Sequence, residues 1–370
     1  MCSDEDFAIS GPTHMMVEAG GASSPTEMIE IDWDNKEHRR CITACLVKGT
    51  YVLESDQTKG RKGPEALAPA WWESFHFRQI EVLESRSKKF GTRKWFIHGA
   101  IFKYVCPHGE LRRHPSAPSY IVAFRGTMPG DPTFFGDMHQ NIRIVLNKQH
   151  CGSRFRDSRK RVRELFLQDP ISRGTGNVIW LAGHSLGASL ALDVGRYMMS
   201  EKGCDLPAFL FNPPHVSLAP AADMLCLDGE TKWGLYGTSY RVKDALGKTL
   251  FKPQMKHMEN LFGKLSPWVP ELYVHNRDLI CKGFIDYFEQ WQQLQKRLPD
   301  AARSAATLAY RDLLHLSAMS GFGNKKERLH LLPSARLWKN STSHSYFEAH
   351  ELRQWWQPGL LLSSNLYSWP

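Results

Sequence analysis

From residue 100 onward the chain alternates short apolar runs with longer stretches of helical periodicity. Ala100-Ile101-Phe102-Lys103-Tyr104-Val105 and Tyr120-Ile121-Val122-Ala123-Phe124 read as strands. Val178-Ile179-Trp180-Leu181-Ala182 is apolar throughout, the pattern of a central strand buried on both faces. Ala208–Phe211 and Leu272–His275 are further strands, with another at Ala335–Trp338. Helices are predicted over 154–168, 186–200, 282–297 and 301–318. Strand–helix alternation of this kind specifies an α/β fold, a mostly parallel central sheet with helices on both faces. Upstream, residues 39–47 read as a helix, 56–66 as a polar loop, and Trp71-Trp72 as the opening of another helix. Residues 1–30 are rich in Gly, Ser, Pro and Met without periodicity and read as an unstructured tail. No repeat or linker interrupts residues 31–370, which read as a single domain.

Composition narrows the class. The content of 42% hydrophobic and 23% charged residues is that of a soluble globular protein. No apolar run reaches bilayer length, and the acidic start Met1-Cys2-Ser3-Asp4-Glu5-Asp6 is unlike a secretory signal. The eight cysteines form no Cys-x-x-Cys pair, which argues against a zinc ribbon or thioredoxin-like site and suits free thiols in the cytoplasm. The formal net charge is +9, part of it in Arg154, Arg156, Arg159, Lys160, Arg161 and Arg163. This run reads as one solvated helix face; no aromatic-interleaved motif supports a nucleic-acid partner.

The candidate chemistry sits at Gly183-His184-Ser185-Leu186-Gly187. Alone, Gly-x-Ser-x-Gly arises by chance in roughly one chain in ten of this length. Here an apolar strand runs directly into it and a helix follows at once, the strand–turn–helix setting that lifts a serine Oγ above a sheet edge. Glycines at 183 and 187 remove Cβ atoms that would crowd so tight a turn. Ser185 is therefore the candidate nucleophile. The N–H of Leu186, at the helix N-terminus, is one candidate oxyanion donor. The glycine turn Arg125-Gly126-Thr127 after the strand at 120–124 offers a second, the N–H of Thr127.

In this kind of site the acid follows the serine and the base comes last. Asp278 lies just past the strand at 272–275, whereas Asp193, Asp286 and Asp312 fall in predicted helices and Asp205 precedes its strand. Four histidines remain for the base, His315, His330, His344 and His350, and spacing alone does not choose between His344 and His350.

Several segments, in order, resemble the class 3 (fungal-type triacylglycerol) lipases, and more closely the plant α/β-hydrolase branch often labelled GDSL esterase/lipase. They are His38-Arg39-Arg40, Pro69-Ala70-Trp71-Trp72-Glu73, Ala123-Phe124-Arg125-Gly126-Thr127, the Ser185 motif, Phe211-Asn212-Pro213-Pro214, Asn276-Arg277-Asp278 and Ala349-His350-Glu351-Leu352-Arg353-Gln354-Trp355-Trp356. No Gly-Asp-Ser-Leu occurs, and the stretch at 14–30 looks like an insertion. The resemblance implies an α/β-hydrolase fold and a serine esterase or lipase acting on carboxylic esters, acyl lipids among them. It implies Ser185 as nucleophile, Asp278 as acid, His350 as base and Thr127 at the oxyanion hole. The family's Ala-His-Gly reads Ala349-His350-Glu351, placing a carboxylate beside the base. Such chemistry needs no metal or organic cofactor. Residues 128–136 are expected to form an apolar flap, and peripheral contact with a membrane or lipid droplet is compatible with the class. The competing expectation is a lipase-like scaffold acting through protein partners. The sequence leaves the oligomeric state open.

Overall fold

The computed structural model describes residues 5–18, 27–89, 92–107, 113–127, 153–168, 178–215, 245, 252–297, 331–342 and 345–369. Its core is one eight-stranded sheet. In chain order the strands are β3 (Phe77–Lys89), β4 (Thr92–Tyr104), β5 (Tyr120–Phe124), β6 (Ile179–His184), β7 (Ala208–Phe211), β8 (Glu271–His275), β9 (Ala335–Asn340) and β10 (Leu362–Tyr367). They lie side by side in that same order. β5 to β9 are mutually parallel; β3, β4 and β10 flank them in antiparallel pairing. The sequence showed only the last residues of β4. β3 and most of β4 carry mixed charge, as in Arg86, Lys88 and Arg93, and this masks the alternation of a hairpin.

The apolar runs are continuous because both faces of the central strands are covered. Val122, Phe124, Leu181 and Leu210 point to one face, where they pack with α4 (Ser153–Gln168), α5 (Leu186–Lys202) and α7 (Gly283–Arg297). α6 (Lys252–Leu265) sits nearby with its own small cluster around Phe262. Ile121, Ala123, Trp180, Ala182 and Phe211 point to the other face, against α2 (Lys36–Lys59) and α3 (Ala70–Glu73). α2 starts where the Asn35 side chain accepts the Glu37 N–H at 2.8 Å and stops at Gly60, whose φ of 73° is left-handed. It thus takes in part of the expected loop at 56–66, because Asp56 is held by Arg61 and by the N–H groups of Leu67 and Ala68. The stretch expected as a helix at 301–318 lies outside the described residues.

Residues 5–15, part of the stretch read from composition as an unstructured tail, instead pack. In α1 (Phe7–Ser10), Phe7 stands edge-on to Trp71 and Phe75, with centroids 5.1 and 5.7 Å away. Trp356 Nε1 donates to Ser10 O at 2.6 Å. β1 (Met16–Glu18) and β2 (Glu27–Ile29) form a small antiparallel pair. Average composition hides such a segment because a few large apolar residues, Phe7, Met15 and Ile29, carry its burial.

The basic run on α4 is not simply solvated. Arg159 pairs with buried Asp193, Arg161 with Glu81 and Glu164, and Lys160 with Glu164. Among the described residues Cys41, Cys45, Cys106, Cys204 and Cys281 are free thiols, and no helix is long and apolar enough to cross a membrane.

Candidate active site

Parallel strands in register bring their carboxyl ends to one edge. Phe124 lies beside Gly183, His184 beside Phe211, and His275 beside Asn340. Loops leaving that edge converge there, as in other open α/β sheets. β6 runs directly into Ser185, which holds φ 53° and ψ −125°, a conformation rare for a residue with a Cβ. The turn is over-determined. Ser185 N–H donates to Phe211 O at 2.9 Å. A Cβ at Gly183 would overlap the backbone of Gly187, and one at Gly187 would overlap the carbonyl of Phe124. Both glycines of the motif are therefore set by backbone-to-backbone approach.

The structure brings Ser185, His350 and Asp278 together. His350 Nε2 is 3.1 Å from Ser185 Oγ, and His350 Nδ1 is 2.8 Å from Asp278 Oδ2. A carboxylate only accepts, so Nδ1 carries the proton and Nε2 is free to receive that of the serine. Asp278 sits in a turn closed by its own N–H on His275 O at 3.1 Å, three residues beyond β8. Burial opposes its charge, but the charge of His350 and hydrogen bonds from His350, Cys281 and Asn212 prevail and hold the carboxyl below its usual range. His350 occupies a short turn, Glu348–His350, between β9 and β10. The Glu351 side chain is exposed there. His315, His330 and His344 lie outside the described residues, as does the expected flap at 128–136.

Thr127 lies exposed at the exit of β5. Its loop abuts Ser185: a Cβ on Gly126 would stand 3.0 Å from the Ser185 Cβ. Arg125 Nη1 donates to Gly126 O at 2.8 Å. The Gly126–Thr127 peptide is trans, so the Thr127 N–H points opposite to that carbonyl. Among the described residues no backbone acceptor engages the N–H of Thr127 or of Leu186.

Asn212 is the residue that sequence reasoning passed over as chemistry, although it stands in the Phe211-Asn212-Pro213-Pro214 segment. It ends β7 with φ 47°, a left-handed conformation that Asn tolerates. Its Nδ2 donates to Asp278 Oδ2 at 2.7 Å and to Ala349 O at 2.9 Å, and its Oδ1 accepts Trp355 Nε1–H at 2.6 Å. One amide thus joins Asp278, the turn that carries His350 and the buried Trp355. The available signal was a polar residue directly after an apolar strand at the same sheet edge.

Two buried histidines sharpen the acid response. Burial pushes His184 and His98 down to about 3 from 6.5, so both stay neutral in the fold. The unfolded chain takes up these protons below pH 6.5 and the folded chain does not, so stability falls as pH drops from 6.5 toward 3. Each histidine contributes a slope of about 1.4 kcal/mol per pH unit in that window. His98→Asn should flatten the fall by about that amount in urea unfolding measured between about pH 6 and 4.

Away from this edge, donor atoms of His14, Glu37 and Cys41 lie within 4.8 Å of one another. Arg40 pairs with Glu37 at 3.2 Å, and burial pushes the Cys41 thiol up to about 11. A protonated sulfur beside a guanidinium is a poor metal ligand.

No family model and no solved structure matches the chain. Among curated proteins, an Arabidopsis thaliana protein named GDSL esterase/lipase is 31% identical over 378 aligned residues, covering 99% of this chain and 98% of the relative. With that identity over the full length of both chains, the protein belongs to the same esterase/lipase family.

Proposed function

We propose that the protein is a serine carboxylic-ester hydrolase of the α/β-hydrolase fold, in the class 3 lipase group, with residues 31–370 as its hydrolase domain. One observation carries the reading: Ser185 Oγ, on a strained strand–helix turn, is joined to His350 and His350 to Asp278 by hydrogen bonds of 3.1 and 2.8 Å. Ser185 Oγ attacks the ester carbonyl carbon as His350 Nε2 takes its proton. Asp278 holds the ring orientation and stabilises the imidazolium. The N–H groups of Thr127 and Leu186 receive the developing oxyanion, worth roughly 3 kcal/mol per donor in sites of this kind. His350 then protonates the departing alcohol, leaving an acyl-serine. Water, deprotonated by His350, attacks that acyl group and returns Ser185 with release of the acid. The steps draw on side chains and backbone N–H groups alone.

The name of the Arabidopsis relative, an esterase/lipase, supports ester substrates. Leu279, Tyr346 and Phe347 are exposed apolar side chains on the turns that carry Asp278 and His350, which favours acyl chains and contact with a lipid surface. The test is mass spectrometry after fluorophosphonate treatment. A single adduct on Ser185, absent from Ser185→Ala, is expected, with turnover of nitrophenyl esters reduced at least about 10⁴-fold in the variant. A folded wild-type protein that takes up no adduct would leave the partner-binding scaffold as the better account.

A further inference from the structure

His184 fills the first open position of the Gly-x-Ser-x-Gly pattern, and the hydrolytic steps make no use of it. It is nonetheless buried and fully engaged at both ring nitrogens. Nε2 lies 2.9 Å from the backbone carbonyl of His350, and Nδ1 lies 2.9 Å from the hydroxyl of Tyr51 on α2. That hydroxyl accepts the N–H of Gly126 at 2.6 Å.

The directions of these bonds are determined. A carbonyl oxygen only accepts, so His184 Nε2 bears the proton and Nδ1 is bare. The Tyr51 oxygen accepts from Gly126, and its own proton is directed to Nδ1. The chain therefore runs one way: Gly126 N–H to Tyr51, Tyr51 O–H to His184 Nδ1, and His184 Nε2–H to the carbonyl of His350. Aligned bonds in a dry setting reinforce one another.

We propose that Tyr51 and His184 are positioning residues that tie the oxyanion loop at Gly126–Thr127 to the backbone of the base His350, so that both catalytic elements are held in one register around Ser185. This rests on the hydrolase reading above. The loop is gripped from the same helix a second time. Glu54, one turn beyond Tyr51, faces Arg125 Nη2 at 3.5 Å, and Arg125 Nη1 holds the Gly126 carbonyl. Gly126 is thereby pinned at its N–H and at its carbonyl, which sets the plane of the peptide bearing the Thr127 N–H. Gly126 has no room for a side chain: an added Cβ would stand 2.6 Å from the Tyr51 oxygen. Burial keeps His184 neutral, pushed down to about 3, so these bonds persist in neutral and mildly acidic solution. Burial also raises the Tyr51 hydroxyl above its usual range, so it stays a donor.

Three variants test this: Tyr51→Phe, His184→Gln and His184→Leu. Glutamine can donate to the His350 carbonyl and accept from Tyr51, whereas leucine can do neither. Turnover is expressed per serine titrated with fluorophosphonate, which removes any loss of folded protein from the result. Tyr51→Phe and His184→Leu are expected to lower kcat about 10- to 100-fold with KM within about twofold, and His184→Gln to recover most of that loss. Histidine ¹⁵N NMR of the wild type should show His184 protonated at Nε2 and bare at Nδ1. Wild-type kcat per titrated serine in Tyr51→Phe and His184→Leu, or leucine equal to glutamine, or an Nδ1–H tautomer, would each overturn the proposal. Failure of the hydrolase reading has its own signature, since wild-type Ser185 would then not label at all.

Discussion

Asp278→Asn is expected to lower kcat about 10⁴-fold while leaving KM nearly unchanged. The size follows from what surrounds the carboxylate. Oδ2 receives the Nδ1–H of His350 and the Nδ2–H of Asn212, and Oδ1 receives the N–H of Ile280 at 3.0 Å. Every neighbour is a donor. An amide NH₂ placed at Oδ1 faces the Ile280 N–H, and placed at Oδ2 it faces Asn212 and forces His350 into the tautomer whose Nε2 cannot accept from Ser185. The fold should survive, because the side chain keeps its shape, at a cost of about 1–3 kcal/mol for one mismatched buried pair. Steady-state kinetics with nitrophenyl esters, alongside urea unfolding, separates the two effects. Near-wild-type kcat in Asp278→Asn would remove Asp278 from the proposed mechanism. The same carboxylate links the site to acid stability. Its folded-state value lies below 3.8, so its contribution is present above that pH and is lost as pH falls through the depressed value.

Asn212→Ala should be the most damaging change outside the three hydrogen-bonded residues. It strips a partner from Asp278 Oδ2, Ala349 O and Trp355 Nε1 at once, all in a buried setting. Trp355 Nε1 is left without its acceptor, at about 1–3 kcal/mol, whereas Asp278 Oδ2 keeps the Nδ1–H of His350 and Ala349 O keeps Gln354 Nε2 at 2.8 Å, so each of those two lost bonds costs about 1 kcal/mol. Alanine at φ 47° adds about 1 kcal/mol that asparagine largely avoids. A loss of roughly 4 kcal/mol or more in the unfolding free energy is expected, a large share of the stability of a domain this size. In the protein that remains folded, kcat per titrated serine should fall about 100-fold, because acid and base turn are no longer held by a common amide. A variant that unfolds within about 1 kcal/mol of wild type would show that water or backbone movement satisfies these groups instead.

Local signals carried much of the architecture. Val178–Ala182 is uniformly apolar because β6 is covered on both faces, and this is visible without coordinates. The hairpin of β3 and β4 and the edge strand β10 were not visible. Their exposed positions hold charged and polar residues such as Arg86 and Asn365, and an edge strand needs only one apolar face. The packing of residues 5–15 was equally hidden, because the groove over Trp71 and Trp356 that receives Phe7 and Ser10 is assembled from α3 and the C-terminal turn.

The sequence by itself determined the setting of the proposed nucleophile: a glycine-flanked serine between a buried strand and a helix is a local pattern, readable because turn geometry depends on adjacent residues. It also placed Thr127 and Asp278 at strand exits, since order along the chain maps onto order across a parallel sheet. Only the tertiary structure decided that His350 reaches Ser185, that Asn212 joins Asp278 to the turn bearing His350, and that His184 bonds across the site to Tyr51. Those partners lie 165, 66 and 133 positions apart along the chain. Spacing over such distances carries no angular information, so the contacts are set by how the loops at the sheet edge close over one another.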